Sequence, residues 1–539
     1  MAEQTHNLEV CMERDENVNE VFIPTEWPTP HIINKEAVIR RLLEESYGIT
    51  IDTLKPLIGY YDLNYHVTAK AIQSNPYIDD IPKEGIFLKI SNLADSKRPE
   101  LLHGVIKLMD HVRQKGIVCQ ETIKSIKGET MTQIISSNSS GEDVIYQVIV
   151  RTFLPGDVLA KNQITPDMLY NLGSFVAKVT QGLQGFHEPY FDTYDHMWNL
   201  ANCPKVSQIL QVVEDPQRKQ LCEDILHIFE KQVLALTNDF RCGQIHGDLN
   251  ENNILVSSDE SSSDPVPQIC GLLDFYDTNK SYLVFELAIC AAHVMIMAME
   301  QTSNSKSGLV VEIPGHLLAG YKSVMELYPA ERRALRASIA ARMVVLLVSN
   351  QYSFRQDPDN MYLIAKIKPG WEALQTFWAA DPSSLENKWD EIVLSYGSKL
   401  KRDVKRLLTT PRGGRGLPLR LKLLFSAELA AHEHPSLSAC RGTSTSEDLN
   451  FFSSRKPNVS GDHRKPQSVK AELSRKESCN VQSALPPRHS ADMVEGRGSI
   501  YSVLPTSCVF NNRARHKRLD IWMAHCDTSR SQNRPVFLS

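Results

Sequence analysis

The stretch from Ile245 to Asp277 constrains this chain more than any other. It opens I-H-G-D-L-N-E-N-N-I-L-V and closes C-G-L-L-D-F-Y-D. Two apolar runs, Ile254 to Val256 and Ile269 to Leu273, flank a Ser/Asp/Pro-rich turn from Ser257 to Pro267. That pattern predicts two short strands joined by a hairpin loop. The polar clusters then fall at the open ends of the strands, Asp248 and Asn253 before the first and Asp274 and Asp277 after the second. Turn capping accounts for one such cluster. Two clusters on paired strands point to chemistry.

The layout suits phosphoryl transfer. That reaction needs a carboxylate to orient and deprotonate a substrate hydroxyl, and oxygen ligands for a Mg²⁺ that spans the nucleotide phosphates. Asp248 stands for the first role, Asn253 and Asp274 for the second. The chain resembles the aminoglycoside phosphotransferase-like kinases here. Their signature is H-G-D-(L)-x-x-x-N, a strand, and then I/L-D-(F/W). His246, Gly247, Asp248, Leu249, Asn253, Asp274 and Phe275 match it.

The resemblance implies an α+β, bilobal protein-kinase-like fold, with a small antiparallel-sheet N-lobe and a mainly helical C-lobe. It spans about Asn34 to Leu400. The expected organisation is a disordered N-terminus (1–30), an N-lobe (31–152), a C-lobe (153–400) and a basic, disordered tail (401–539). F-L-P-G at Phe153 to Gly156 would link the lobes. Lys89, in the apolar run F-L-K-I, would ordinarily be a solvent-facing lysine; the resemblance makes it the α/β-phosphate lysine, and Asn64 a nucleotide-loop residue. A helix from Glu100 to Lys115 would supply the carboxylate partner of Lys89, yet His103 and Gly104 occupy the expected region. Glu100 is the carboxylate at the helix start; the alternative is that the ion pair is absent.

The wider pattern is P-L-x-x-Y-x-D-x-N-Y-H-V, M-W-N-L and V-F-E-L-A-I. It implies members of the family that phosphorylate a hydroxylated amino acid, with GTP as donor and the side-chain hydroxyl of 5-hydroxy-L-lysine as acceptor. Asp277 is then the residue for a substrate ammonium, with loop capping as the alternative. Glu286 is expected to support the catalytic loop, or else to face a cationic substrate. The motifs by themselves name the reaction class only. Choline, homoserine or aminoglycoside acceptors, and a catalytically weak nucleotide-binding module, are the other readings.

Composition narrows the partners. The net charge of −5 divides unevenly: residues 401–539 carry 24 Lys and Arg against 12 Asp and Glu, which leaves −17 on the first 400. An acidic body disfavours nucleic acid. No run reaches roughly 18 uncharged apolar residues, the length of a membrane span. The nearest, Val284 to Met299, contains Glu286 and His293 and reads as a buried helix. The polar N-terminus has no signal-peptide pattern. Eleven scattered cysteines without a C-x-x-C pair read as thiols in the cytoplasm.

Overall fold

The first described helix, α1 (Lys35–Tyr47), buries Ile39, Leu43 and Tyr47, one residue per turn. Val38 and Leu42 lie at the margin of that stripe. Gly48 ends the helix at φ 64°, where its N–H donates to Glu44 O; a residue without Cβ takes that left-handed conformation freely. The structure is a computed structural model. It describes residues 30–409 apart from 33, 58, 73–74, 81, 138–140, 258–266, 302–306 and 359. Nearly all of the expected N-terminal tail, the tail beyond 409 and most of the hairpin loop lie outside the described residues.

Five antiparallel strands form the N-lobe: β1 (Ile49–Leu57), β2 (Leu63–Ile72), β3 (Ile86–Ile90), β4 (Thr132–Ser137) and β5 (Asp143–Thr152), in the order β1-β2-β3-β5-β4. Their register sets Asn64 opposite Lys89. β4 has no strong signal in the sequence, being a six-residue edge strand with Ile135 exposed. A short helix, α2 (Leu93–Ser96), and the longer α3 (Pro99–Gln114) follow β3. The N-lobe core gathers Ile39, Leu43, Tyr47, Val67, Leu88 and Val148 between α1 and the sheet.

Leu154, Pro155 and Gly156 lead into β6 (Asp157–Val158) and so to the C-lobe. The C-lobe begins with α4 (Pro166–Leu183). Thr165 caps it by accepting from Met168 N, and Pro166 holds the first position, as the sequence predicts. Next come α5 (Tyr190–Thr193), a 3₁₀ segment (Leu200–Val212) and α6 (Pro216–Gln232). The sequence suggests an α-helix over Val206 to Val213. Pro204 inside the segment removes a backbone donor and keeps the tighter winding.

Four short strands carry the signature motif. β7 (Cys242–Ile245) runs into H-G-D and pairs with β10 (Asn279–Tyr282); β8 (Ile254–Ser257) pairs with β9 (Gln268–Leu272), Ile254 opposite Leu272. The predicted hairpin is therefore present. β6 pairs with the other edge of β8, so the interlobe turn is fastened to the hairpin.

Five helices complete the lobe: α7 (Leu283–Gln301), α8 (Ser307–Lys322), α9 (Pro329–Gln356), α10 (Ile367–Ala379) and α11 (Pro382–Thr409). α7 is long and apolar enough to cross a membrane, and 89% of its apolar window is buried inside the protein. An apolar surface on every side suits the centre of a helical lobe. α11 continues past Leu400, the expected end of the C-lobe; K-R-D-V-K-R-L-L keeps strong helix formers and lacks a breaker. Among the described cysteines, 119, 203, 222, 270 and 290 are free thiols.

Candidate active site

Asp248 follows β7 and is held from two sides. Its Oδ2 accepts from Asn250 Nδ2 at 2.6 Å and from Asn253 Nδ2 at 3.0 Å. Its Oδ1 accepts from Arg342 Nη2 at 2.9 Å. Asn253 Nδ2 also donates to Asp248 O at 3.0 Å, so the loop is braced across its own ends. With the amide nitrogen of Asn253 turned to Asp248, the amide oxygen lies on the opposite side. Leu273 N donates to Asn253 O at 2.8 Å, which ties this residue to the end of β9, next to Asp274.

Asp274 adopts φ 57°, a left-handed conformation that Asp and Asn tolerate better than other side-chain-bearing residues. Asn253 and Asp274 both offer oxygen, the donor of a hard cation. No group of three or more His, Cys, Asp or Glu that could hold a metal occurs among the described residues. A cation between these two must take its other ligands from phosphate and water, the usual arrangement for Mg²⁺.

The H-G-D conformation has two causes. His246 is fully buried; its Nε2–H donates to Leu273 O at 3.0 Å, and its Nδ1 accepts from Asp248 N at 3.3 Å. Burial lowers its pKa, so the ring is neutral as that pairing requires. Gly247 has φ 82°, and a Cβ there would stand 2.3 Å from Asp277 O. Only glycine lets the two loops pass this closely.

Lys89 is 4% exposed, and its Nζ lies 2.5 Å from Asp62 Oδ2 and 3.6 Å from the centre of the Tyr276 ring. Burial opposes its charge, but Asp62, Tyr276 and Asp274 outweigh burial, and its pKa is raised. The expected partner Glu100 is not the one. Glu100 sits exposed on the first turn of α3. Asp62 reaches Lys89 from the turn between β1 and β2, its Oδ1 fixed by Asn92 N at 2.7 Å and Asn92 Nδ2 at 3.0 Å. Asn64, also buried, has no hydrogen bond to its Oδ1 among the described residues. Asn64, Lys89 and Asp274 line one cleft between the lobes with Leu57, Arg151 and Tyr276.

The β1–β2 turn also touches the C-lobe. The Tyr60 hydroxyl is 3.1 Å from Asn350 Oδ1 and 3.3 Å from Ser353 Oγ, and the Tyr61 hydroxyl is 3.2 Å from the same Ser353 Oγ. Asn350 and Ser353 belong to α9.

Residues 53–304 match the family described as "Phosphotransferase enzyme family". A bovine hydroxylysine kinase is 33% identical over 66% of this chain and 93% of its own length. The chain belongs to this phosphotransferase family. The mouse hydroxylysine kinase is 32% identical over 68% of the chain and 95% of its own length. A solved aminopropanol kinase associated with a microcompartment is 16% identical, with a TM-score of 0.49, over 65% of this chain and 98% of that one. The protein is a phosphotransferase acting on a hydroxyl group, with an α+β fold.

Several residues of this phosphotransferase outside its signature motifs reach the Asp248 loop. Arg342 of α9 is 1% exposed. His293 of α7 lies between two carboxylates, Nε2 3.5 Å from Asp248 Oδ1 and Nδ1 3.6 Å from Glu251 Oε2. Burial, then the Arg342 cation, push its pKa down to about 3. Lys366 pairs with the buried Glu251; burial lowers its pKa to about 8 against the pull of Asp248. One sequence signal for Arg342 is available. In A-A-R-M-V-V-L-L-V it is the single charge in an apolar helical run, and such a residue needs a buried partner.

Glu286 supports the loop. From the first turn of α7 its carboxylate accepts from His246 N at 2.5 Å and Gly247 N at 3.2 Å. Burial raises its pKa to about 7 from the usual 4.5, against those two donors. Between these values the folded state keeps a proton that the unfolded state has lost, so the stability this group contributes at low pH is lost as the pH rises through 7. Glu286→Gln removes the titration. Melting temperatures taken at pH 5 and pH 7.5 should differ less in the variant than in the parent; an equal difference sinks this account.

Proposed function

We propose that this phosphotransferase transfers the γ-phosphoryl group of GTP to the side-chain hydroxyl of 5-hydroxy-L-lysine. The observation that carries the acceptor is the likeness, through 93% of its length, to a protein described as hydroxylysine kinase. The arrangement of Asp248, Asn253 and Asp274 supports the reaction.

In this reading Asp248 orients the acceptor hydroxyl and takes its proton. Asn253 and Asp274 would hold Mg²⁺ by their side-chain oxygens. When bound, the ion neutralises charge developing on the β- and γ-phosphate oxygens. Lys89 and Asn64 face the nucleotide phosphates, and Lys89 exchanges Asp62 for phosphate oxygen. Asp277 meets an ammonium group of the acceptor. Burial, then the carboxylates of Asp248 and Asp274, raise its pKa well above the usual range. A cation beside it relieves that penalty, which gives the site a preference for an amine-bearing ligand.

A panel of GTP and ATP against 5-hydroxy-L-lysine, homoserine, choline and an aminoglycoside tests the proposal. Turnover should be highest for GTP with 5-hydroxy-L-lysine. Turnover on homoserine or choline without hydroxylysine rejects the acceptor. A higher kcat/KM with ATP rejects the donor. Nucleotide binding without turnover on any acceptor makes the protein a binding module.

A further inference from the structure

Asp248 has more partners than a proton acceptor needs. A carboxylate offers about four acceptor positions. Asn250 and Asn253 take two on Oδ2, and Arg342 takes one on Oδ1. The position left on Oδ1 lies beside the guanidinium.

Arg342 is itself held on several sides. Nη2 donates to Asp248 Oδ1 and lies 3.3 Å from His293 Nε2. A guanidinium can only donate, so His293 Nε2 is the acceptor and its Nδ1, 3.6 Å from Glu251 Oε2, carries the ring hydrogen. Nη1 donates to Trp198 O at 3.4 Å, and the guanidinium carbon is 5.5 Å from the centre of the Trp198 ring. These contacts fix the plane of the fork. Ala341, Met343 and Val344 surround Arg342 along α9, all buried. An apolar side chain of similar volume would avoid the desolvation that a guanidinium meets there. What the guanidinium adds is direction.

We infer that Arg342 is a positioning residue for phosphoryl transfer, fixing the Oδ1 edge of Asp248 so that one lone pair faces the acceptor hydroxyl. The inference rests on Asp248 being the group that takes the hydroxyl proton. The structure joins Arg342 to Asp248 across 94 residues of sequence, and α9 rather than the catalytic loop sets its place.

Arg342→Met keeps the length of the stem and removes the fork. Its kcat should fall about a hundredfold, the cost of a base misplaced by about 1 Å, while KM for the nucleotide stays within about twofold. Arg342→Lys keeps the charge without the fork and should lose roughly tenfold. In an Asp248→Asn background, Arg342→Met should cost little more, because the two act as one unit. A folded Arg342→Met enzyme with kcat within threefold of the parent overturns the inference. So does a full additional loss in the double variant. If Arg342→Met yields no protein that nucleotide protects against melting, Arg342→Lys decides, and parental kcat there overturns the inference. Asp248→Asn alone reports on the underlying reading: a normal kcat in that variant rejects Asp248, whereas its loss beside a normal Arg342→Met rejects Arg342 only.

Discussion

Asp248→Asn lowers kcat by about 10²–10⁴-fold, about 3–5 kcal/mol in the transition state, with nucleotide affinity little changed. An amide can orient a hydroxyl but cannot take its proton. The substitution also has a structural side. Asn250, Asn253 and Arg342 all donate to this carboxylate, so an Asn here must turn its own NH₂ toward one of them. Part of the effect will appear as lower stability, since Arg342 loses its charged partner. Steady-state kcat with a separate nucleotide titration divides the two. A variant that binds nucleotide normally and turns over within tenfold of the parent would reject Asp248 as the base.

Asp274→Asn has a comparable effect by another route. Loss of a charged metal ligand removes several kcal/mol of charge stabilisation, two or more powers of ten in rate, and raises the Mg²⁺ concentration needed for half-maximal activity. Asn is the informative replacement because φ at this position is 57°. Alanine would add backbone strain to the loss of the ligand, whereas asparagine tolerates that conformation. An Mg²⁺ titration of activity checks the prediction. An unchanged half-maximal concentration would mean that Asp274 does not bind the ion.

The signature stretch shows which parts of this fold are local. The hairpin, the cap at Thr165, the interlobe turn and the burial of α7 each depend on residues near one another in sequence, and each is legible there. The partner of Lys89 is not. The kinase-like pattern directs attention to a glutamate on α3, but the lysine is served by Asp62, in the same Y-D-L-N segment that flagged Asn64. A carboxylate well before the lysine in sequence and another just after it cannot be ranked without the register of β2 and β3, which sets Asn64 opposite Lys89. Arg342, His293 and Lys366 reach the catalytic loop only through helix packing. Their shared mark in the sequence is charge or polarity inside an apolar helix or at its start, which identifies a residue with a partner and leaves the partner unnamed.

The two tyrosines of the β1–β2 turn give the molecule a property that no single site residue has. They bind Asn350 and Ser353 on the helix that also carries Arg342 to Asp248. Any movement of the turn away from α9 breaks those bonds. A ligand that favours the bonded turn therefore also favours this placement of α9, and by reciprocity whatever fixes α9 favours that ligand.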